Sequence, residues 1–269
     1  MDSSQTISVA ESAADNAAVG TVTTSGDTPT LFSINGGNTA GIFAISAAGA
    51  VTVLDNTNLD YDSTTSYSLT IVTSDGTTAD AETVTVSVTD VNDQAPSWTT
   101  SATANVAEGA TAVATLAATD TDTADSGGLT YAITTDDPGA GTQFAVSGTA
   151  LTIAAQNYEA PACGAGSNSL TCVVVLSATD AANTATAHTI TVTITDTNDQ
   201  TPVYQAADAD DTFTVAENTA TNSVIDNGVI TDTDTGNTLG CTLGGADSGD
   251  FTCTISGNNA QLKFAAVPN

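Results

Sequence analysis

Two stretches of the chain alternate without interruption between polar and apolar positions: Thr83-Val84-Thr85-Val86-Ser87-Val88 and Thr189-Ile190-Thr191-Val192-Thr193-Ile194. A period of two puts every apolar residue on one face of a pleated strand. Both stretches are therefore predicted to be strands with one buried and one solvated face. Shorter strands are predicted over 51–54, 67–72, 129–133, 151–154 and 262–265. Clusters of turn-forming Gly, Asn, Asp and Ser separate them, as in Asn35-Gly36-Gly37-Asn38 and Ser126-Gly127-Gly128. No segment carries a sustained 3.6-residue period. The pattern predicts an all-β chain of Greek-key sandwiches of the immunoglobulin-like class.

The pattern also repeats. The octamer Thr89-Asp90-Val91-Asn92-Asp93-Gln94-Ala95-Pro96 recurs 106 residues later as Thr195-Asp196-Thr197-Asn198-Asp199-Gln200-Thr201-Pro202, with six of eight positions identical. Val-Ala-Glu ends at Glu11, Glu108 and Glu217, and Thr-Asp-x-Asp supplies Asp120 with Asp122 and Asp232 with Asp234. An aromatic inside an acidic cluster appears as Leu59-Asp60-Tyr61-Asp62 and as Asn157-Tyr158-Glu159. Matches in the same order at a period near 100 residues mean tandem copies of one domain. The organisation read from them is repeat 1 over 1–95, repeat 2 over 96–201 and an incomplete repeat 3 over 202–269. Truncation of the sequence and completion of repeat 3 by another subunit both remain open.

Charge narrows the function. The chain has 31 Asp plus Glu against one Lys or Arg, for a formal net charge of −30. Lys263 alone cannot neutralise phosphates, which excludes nucleic acid and anionic membrane surfaces as partners. A polyanion of this density repels itself unless cations intervene. Yet 40% of residues are hydrophobic, so the chain is not a disordered acidic tail. Only five Glu occur, and Glu11, Glu108, Glu159 and Glu217 all fall in the repeated motifs, Glu82 being the exception.

Several motifs in fixed order resemble the cadherin repeat, and the resemblance covers nearly the whole chain. Val9-Ala10-Glu11, Leu59-Asp60-Tyr61-Asp62, Thr73-Ser74-Asp75 and Asp90-Val91-Asn92-Asp93-Gln94-Ala95-Pro96 carry it in repeat 1; Asp120-Thr121-Asp122 and Ala178-Thr179-Asp180 add to it in repeat 2. The resemblance implies cadherin-type sandwiches forming an elongated rod, with about three Ca²⁺ in each junction between repeats. Carried over residue by residue, the first junction would use Glu11, Asp60, Asp62, Asp90, Asn92, Asp93, Asp120, Asp122 and Asp180, with carbonyls such as those of Val91 and Gln94. The second would use Glu108, Asn157, Glu159, Asp196, Asn198, Asp199, Asp232 and Asp234. Calcium takes six to eight oxygen ligands, chiefly carboxylates and carbonyls, which suits these sets. Asn157 replaces an acid, so one ion of the second junction should bind more weakly. Repeat 1 offers only Asp27 where a Thr-Asp-x-Asp is expected, which implies no fully liganded junction ahead of it.

The resemblance implies a non-enzymatic extracellular or cell-surface protein for adhesion or spacing, whose partners are calcium and either copies of itself or another surface protein. One alternative is a self-assembling subunit of an extracellular filament or surface layer, archaeal or bacterial. A lesser one is a carbohydrate-binding module, for which aromatic residues are scarce at 4%. The lone His188 falls where Glu82 falls in repeat 1, which argues for a strand rim and against catalysis. Trp98 follows the linker proline as Tyr204 does and is read as packing at the first strand. Cys163 with Cys172, and Cys241 with Cys253, form two close pairs without a Cys-x-x-Cys, predicting local disulfides in an oxidising compartment.

Overall fold

The computed structural model describes residues 5–25, 31–122, 128–136, 142–163, 170–205, 212–236 and 238–268. Asp27 lies outside them. In the first repeat the strands are β1 (Gln5–Ala10), β2 (Ala18–Thr21), β3 (Leu31–Gly36), β4 (Phe43–Ile45), β5 (Ala50–Val53), β6 (Ser66–Ser74) and β7 (Ala79–Thr89). They form a four-stranded sheet in the order β1-β7-β6-β3 and a three-stranded sheet in the order β2-β5-β4. The alternation in β7 does what its period requires. Val84, Val86 and Val88 are buried, while Thr83, Thr85 and Ser87 are not. Those valines join Leu69 and Ile71 of β6 and Val51, Val53 and Phe43 of the other sheet in one core. Each such side chain contributes about 1.5–3 kcal/mol of burial.

One pairing is not of the hairpin kind. β1 runs parallel to β7, in register from Gln5 opposite Val84 to Ala10 opposite Thr89. The Gly36-Gly37 turn sits hard against β6: Gly37 has φ +79°, and a Cβ there would lie 1.8 Å from the Ser68 carbonyl oxygen. Only glycine fits.

The second repeat repeats the plan. Its strands are β8 (Ser97–Trp98), β9 (Thr103–Ala107), β10 (Ala112–Thr115), β11 (Ala118–Thr119), β12 (Thr130–Thr135), β13 (Phe144–Ser147), β14 (Ala150–Ile153), β15 (Thr171–Thr179) and β16 (His188–Thr195). The sheet β12-β15-β16-β9 faces β10-β14-β13, with β11 and β8 paired beside them, and β9 is parallel to β16 as β1 is to β7. Cys163 and Cys172 form a disulfide inside this second core, and Cys241 and Cys253 form another in the third repeat.

The third repeat contributes β17 (Val203–Gln205), β18 (Val224–Thr231), β19 (Phe251–Ser256) and β20 (Asn259–Phe264) in one sheet, ordered β17-β18-β20-β19. A cavity of about 460 Å³ lies against it, lined by Tyr204, Phe213, Asp226, Ile230, Leu262 and the disulfide, among others. The half-exposed Tyr204 lies across Gly228, and its hydroxyl donates to the buried Asp226.

Each run predicted as a strand overlaps an observed one. Other strands have no predicted run, β1, β3, β9 and β15 among them; β2 and β4 are too short to display the period, and the buried face of β18 reads Asp226, Gly228, Ile230. His188 begins β16 opposite Leu176, as Glu82 lies opposite Ile71. Its ring stacks on Trp98, centroids 4.8 Å apart.

Candidate metal centres at the junctions between repeats

Each junction is organised by one glutamate. Because β1 ends beside the end of β7, Glu11 emerges where β7 runs into the linker. Its carboxylate is 8% exposed. Oε2 accepts the Tyr61 N–H at 2.6 Å and Oε1 the Val91 N–H at 2.7 Å. One side chain thus pins the Asp60-Tyr61-Asp62 segment and the linker to the same strand end. Glu108 does the same in the next repeat, accepting the Tyr158 N–H at 2.8 Å and the Thr197 N–H at 2.7 Å.

The other acids follow in parallel. Asp60 accepts the Asp62 N–H at 3.0 Å, and Asn157 the Glu159 N–H at 2.8 Å. Asp120 accepts the Asp122 N–H at 3.2 Å, and Asp232 the Asp234 N–H at 3.1 Å. Asp122 then reaches back to the Gln94 N–H at 2.8 Å, as Asp234 does to that of Gln200 at 2.8 Å. Gln94 and Gln200 donate their side-chain amides to Asp93 and Asp199.

Carboxylates from different segments converge. Oxygens of Asp62, Asp93 and Asp122 lie within 4.8 Å of one another, as do those of Glu108, Glu159 and Asp196, and those of Glu159, Asp199 and Asp234. Glu11, Asp60, Asp90, Asp120 and Asp180 stand outside the first triad. Asp232 stands outside the other two, Asn157 meets the Glu159 N–H, and Asn198 is exposed. The N–H groups of Val91 and Gln94 serve Glu11 and Asp122. Burial raises the Asp122 carboxyl above its ordinary value, the charges of Asp120 and Asp62 adding to the effect, against the hydrogen bond from Gln94. Burial acts the same way on Asp180, but the N–H groups of Asn183 and Ala182 and the amides of Asn92 and Asn183 outweigh it and hold its carboxyl low. At Asp196 the Thr235 hydroxyl and N–H lower the carboxyl.

Whether the residues suit a cation is decided by their unmet oxygens. Asp120 Oδ2, Asp180 Oδ2, Asp196 Oδ1 and both oxygens of Glu159 are buried without a hydrogen-bond partner. Buried carboxylate oxygens lacking a donor, set beside other carboxylates, cost several kcal/mol unless a cation offsets them. The donor set is oxygen throughout, which suits a hard divalent ion.

Asp75 behaves differently. It closes the turn after β6, where Oδ1 accepts the N–H groups of Thr77 and Thr78, both at 2.7 Å. Those backbone bonds, first from Thr78 and then from Thr77, hold its carboxyl well below the usual range. A lowered folded-state value means the stabilisation is complete above the ordinary carboxylate range and is lost as pH falls through and below it, from about 4 downward. The thermal midpoint of Asp75→Asn should accordingly trail the parent at pH 7 and converge with it in acid.

Three contributors escape sequence reasoning. Thr121 donates its hydroxyl to Asp62 at 3.2 Å, Thr235 donates its N–H and hydroxyl to Asp196, and Asn183 donates its side-chain amide to Asn92. Thr121 and Thr235 at least lie in or beside an acidic motif; Asn183 carries no signal beyond following Asp180 by three.

These sandwiches, with a glutamate at the end of a strand parallel to the last one and acidic linkers between them, have the fold of cadherin ectodomain repeats. No family model matches the chain. Over 138 residues, 48% of this chain, it is 35% identical to cadherin EGF LAG seven-pass G-type receptor 1 of Homo sapiens, and 33% identical over 136 residues to that of Mus musculus. The chain spans about 4% of the length of these curated relatives. The structure is similar to the human desmocollin-1 ectodomain, with a TM-score of 0.71 at 18% identity, covering 100% of this chain and 54% of that one. Human CDH23 EC21-23 gives a TM-score of 0.58 at 21% identity, covering 100% and 90%.

Proposed function

We propose that this is an extracellular, calcium-binding segment of an adhesion or spacer protein, in which Ca²⁺ held between repeats converts a self-repelling hinge into a stiff joint. Carrying the reading is the duplicated arrangement around Glu11 and Glu108, each beside buried carboxylate oxygens that lack a donor. About three ions per junction, held by the ligands named above, would neutralise most of the eight acids mapped to the first and the six mapped to the second. Ions bound only by the folded state stabilise it by RT ln(1 + [L]/Kd) per site. Extracellular modules bind calcium at roughly 10⁻⁴–10⁻³ M, so the reading places this chain in millimolar calcium.

Calorimetry and small-angle scattering in 2 mM calcium, then in excess chelator, test it (the concentration is about twice the weak end of that range). Chelation should lower the thermal midpoint and change the maximum dimension; a chain indifferent in both has no bridging ions. A second reading is a self-assembling subunit of an extracellular filament or surface layer. Ordered polymers under the electron microscope would support it, and isolated particles would not.

A further inference from the structure

The same kind of turn follows β6 and β15, yet the aspartates that open the two turns end in different states. After β6, Asp75 is closed in. Its Oδ1 accepts two N–H groups and the Thr77 hydroxyl at 2.8 Å, and its Oδ2 accepts the Thr78 hydroxyl at 3.2 Å. After β15, Asp180 Oδ1 likewise accepts the N–H groups of Ala182 and Asn183, both at 2.5 Å. There the likeness stops. Ala182 has no hydroxyl, and the Asn183 amide, beside the carboxylate, carries on to the linker, donating to the Asn92 carbonyl at 3.3 Å and to Asn92 Oδ1. Asp180, 7% exposed, keeps its Oδ2 buried without a partner.

We propose that Asn183 is a positioning residue for the first junction: it leaves the second oxygen of Asp180 open to the cation and ties Asn92, in the linker, to repeat 2. This rests on the calcium reading above. The turn residues decide the outcome through simple chemistry. A threonine at the third position spends its hydroxyl on the aspartate; an asparagine, longer and with two N–H groups, reaches the linker instead. The contact is between neutral amides, so it persists when the ion is withdrawn. Other contacts across this junction, Thr121 to Asp62 and Gln94 to Asp122 among them, end on carboxylates that the ion would claim. Asn183 therefore holds Asp180 and Asn92 in place before calcium arrives, which lowers the ordering cost of binding.

The test grafts the closed turn onto repeat 2. In the full chain, Ala182→Thr with Asn183→Thr should leave the thermal midpoint in chelator unchanged, because repeat 1 already folds with such a turn. Competition with a chromophoric chelator should then show one ion of the first junction bound about tenfold more weakly or lost. Amide exchange over residues 91–94 in chelator should be faster than in the parent. Asn183→Ala, which removes the linker contact without adding a hydroxyl, should accelerate the same exchange with a smaller loss of affinity. It decides the question if the double variant fails to fold. Unchanged calcium affinity and unchanged exchange, in a parent that binds calcium there, overturn the role of Asn183. A parent that binds no calcium overturns the reading on which it rests.

Discussion

Glu11→Ala is expected to lower the thermal midpoint of the first repeat by about 12–24 °C. The carboxylate is buried and accepts two backbone N–H groups, from Tyr61 and Val91. A hydrogen bond to a charged group is worth about 1.5–3 kcal/mol, and its removal leaves both donors without an acceptor. A loss of about 3 kcal/mol, at roughly 4–8 °C per kcal/mol in a domain of this size, gives that shift. Glu11→Gln keeps the shape but offers one acceptor oxygen, so about half of the loss should return. Differential scanning calorimetry in chelator isolates this packing role from any ion. A midpoint unmoved by Glu11→Ala would mean that the staple holds nothing.

Asp93→Ala should act in opposite directions with and without calcium. Asp93 shares a 4.8 Å cluster with Asp62 and Asp122. Without an ion, each pair of charges at that separation repels by about 1–3 kcal/mol, depending on the local dielectric. Removing Asp93 relieves two of the three pairs, so the variant in chelator should be at least as stable as the parent. With calcium present a ligand has been lost, and affinity at the first junction should fall by at least about tenfold, equivalent to 1.4 kcal/mol. Glu159, Asp199 and Asp234 are untouched, so the second junction should titrate as before. Calcium titrations of both chains, with melts in chelator, check each arm. Equal weakening of both junctions would mean that the ligands are assigned to the wrong ones.

Much of this architecture is legible in the residues. The alternation over Thr83–Val88 could only be a half-buried strand, and the structure buries Val84, Val86 and Val88 as the period demands. The repeated motifs pointed to tandem sandwiches of the cadherin type, and solved structures of that fold cover the chain. What stayed hidden has common causes. The parallel partnership of β1 with β7 joins residues about 80 apart, and no local pattern encodes it. β18 hides because its inward positions hold Asp226 and Gly228, whose place in the packing is set by the Tyr204 ring. Thr121, Thr235 and Asn183 were missed because hydroxyls and amides are ordinary at turns. Which oxygen they satisfy depends on side-chain direction, and that is fixed only once two repeats meet. The glutamates were easier to find, being scarce against an aspartate-rich background.

The parallel pairing of β1 with β7, and of β9 with β16, has a mechanical consequence. In each pair an early strand of the repeat and its last strand lie side by side and point the same way, so the two ends of the segment between them fall at opposite ends of the pair. Tension between them pulls along the strands, across the hydrogen bonds. All six register pairs from Gln5–Val84 to Ala10–Thr89 are then loaded in shear and must yield together. An antiparallel pair pulled from one end would instead open one rung at a time. Each of the first two repeats thus resists stretching along a parallel pair, β1 with β7 and β9 with β16, and the glutamate sits at the point where that load passes into the linker.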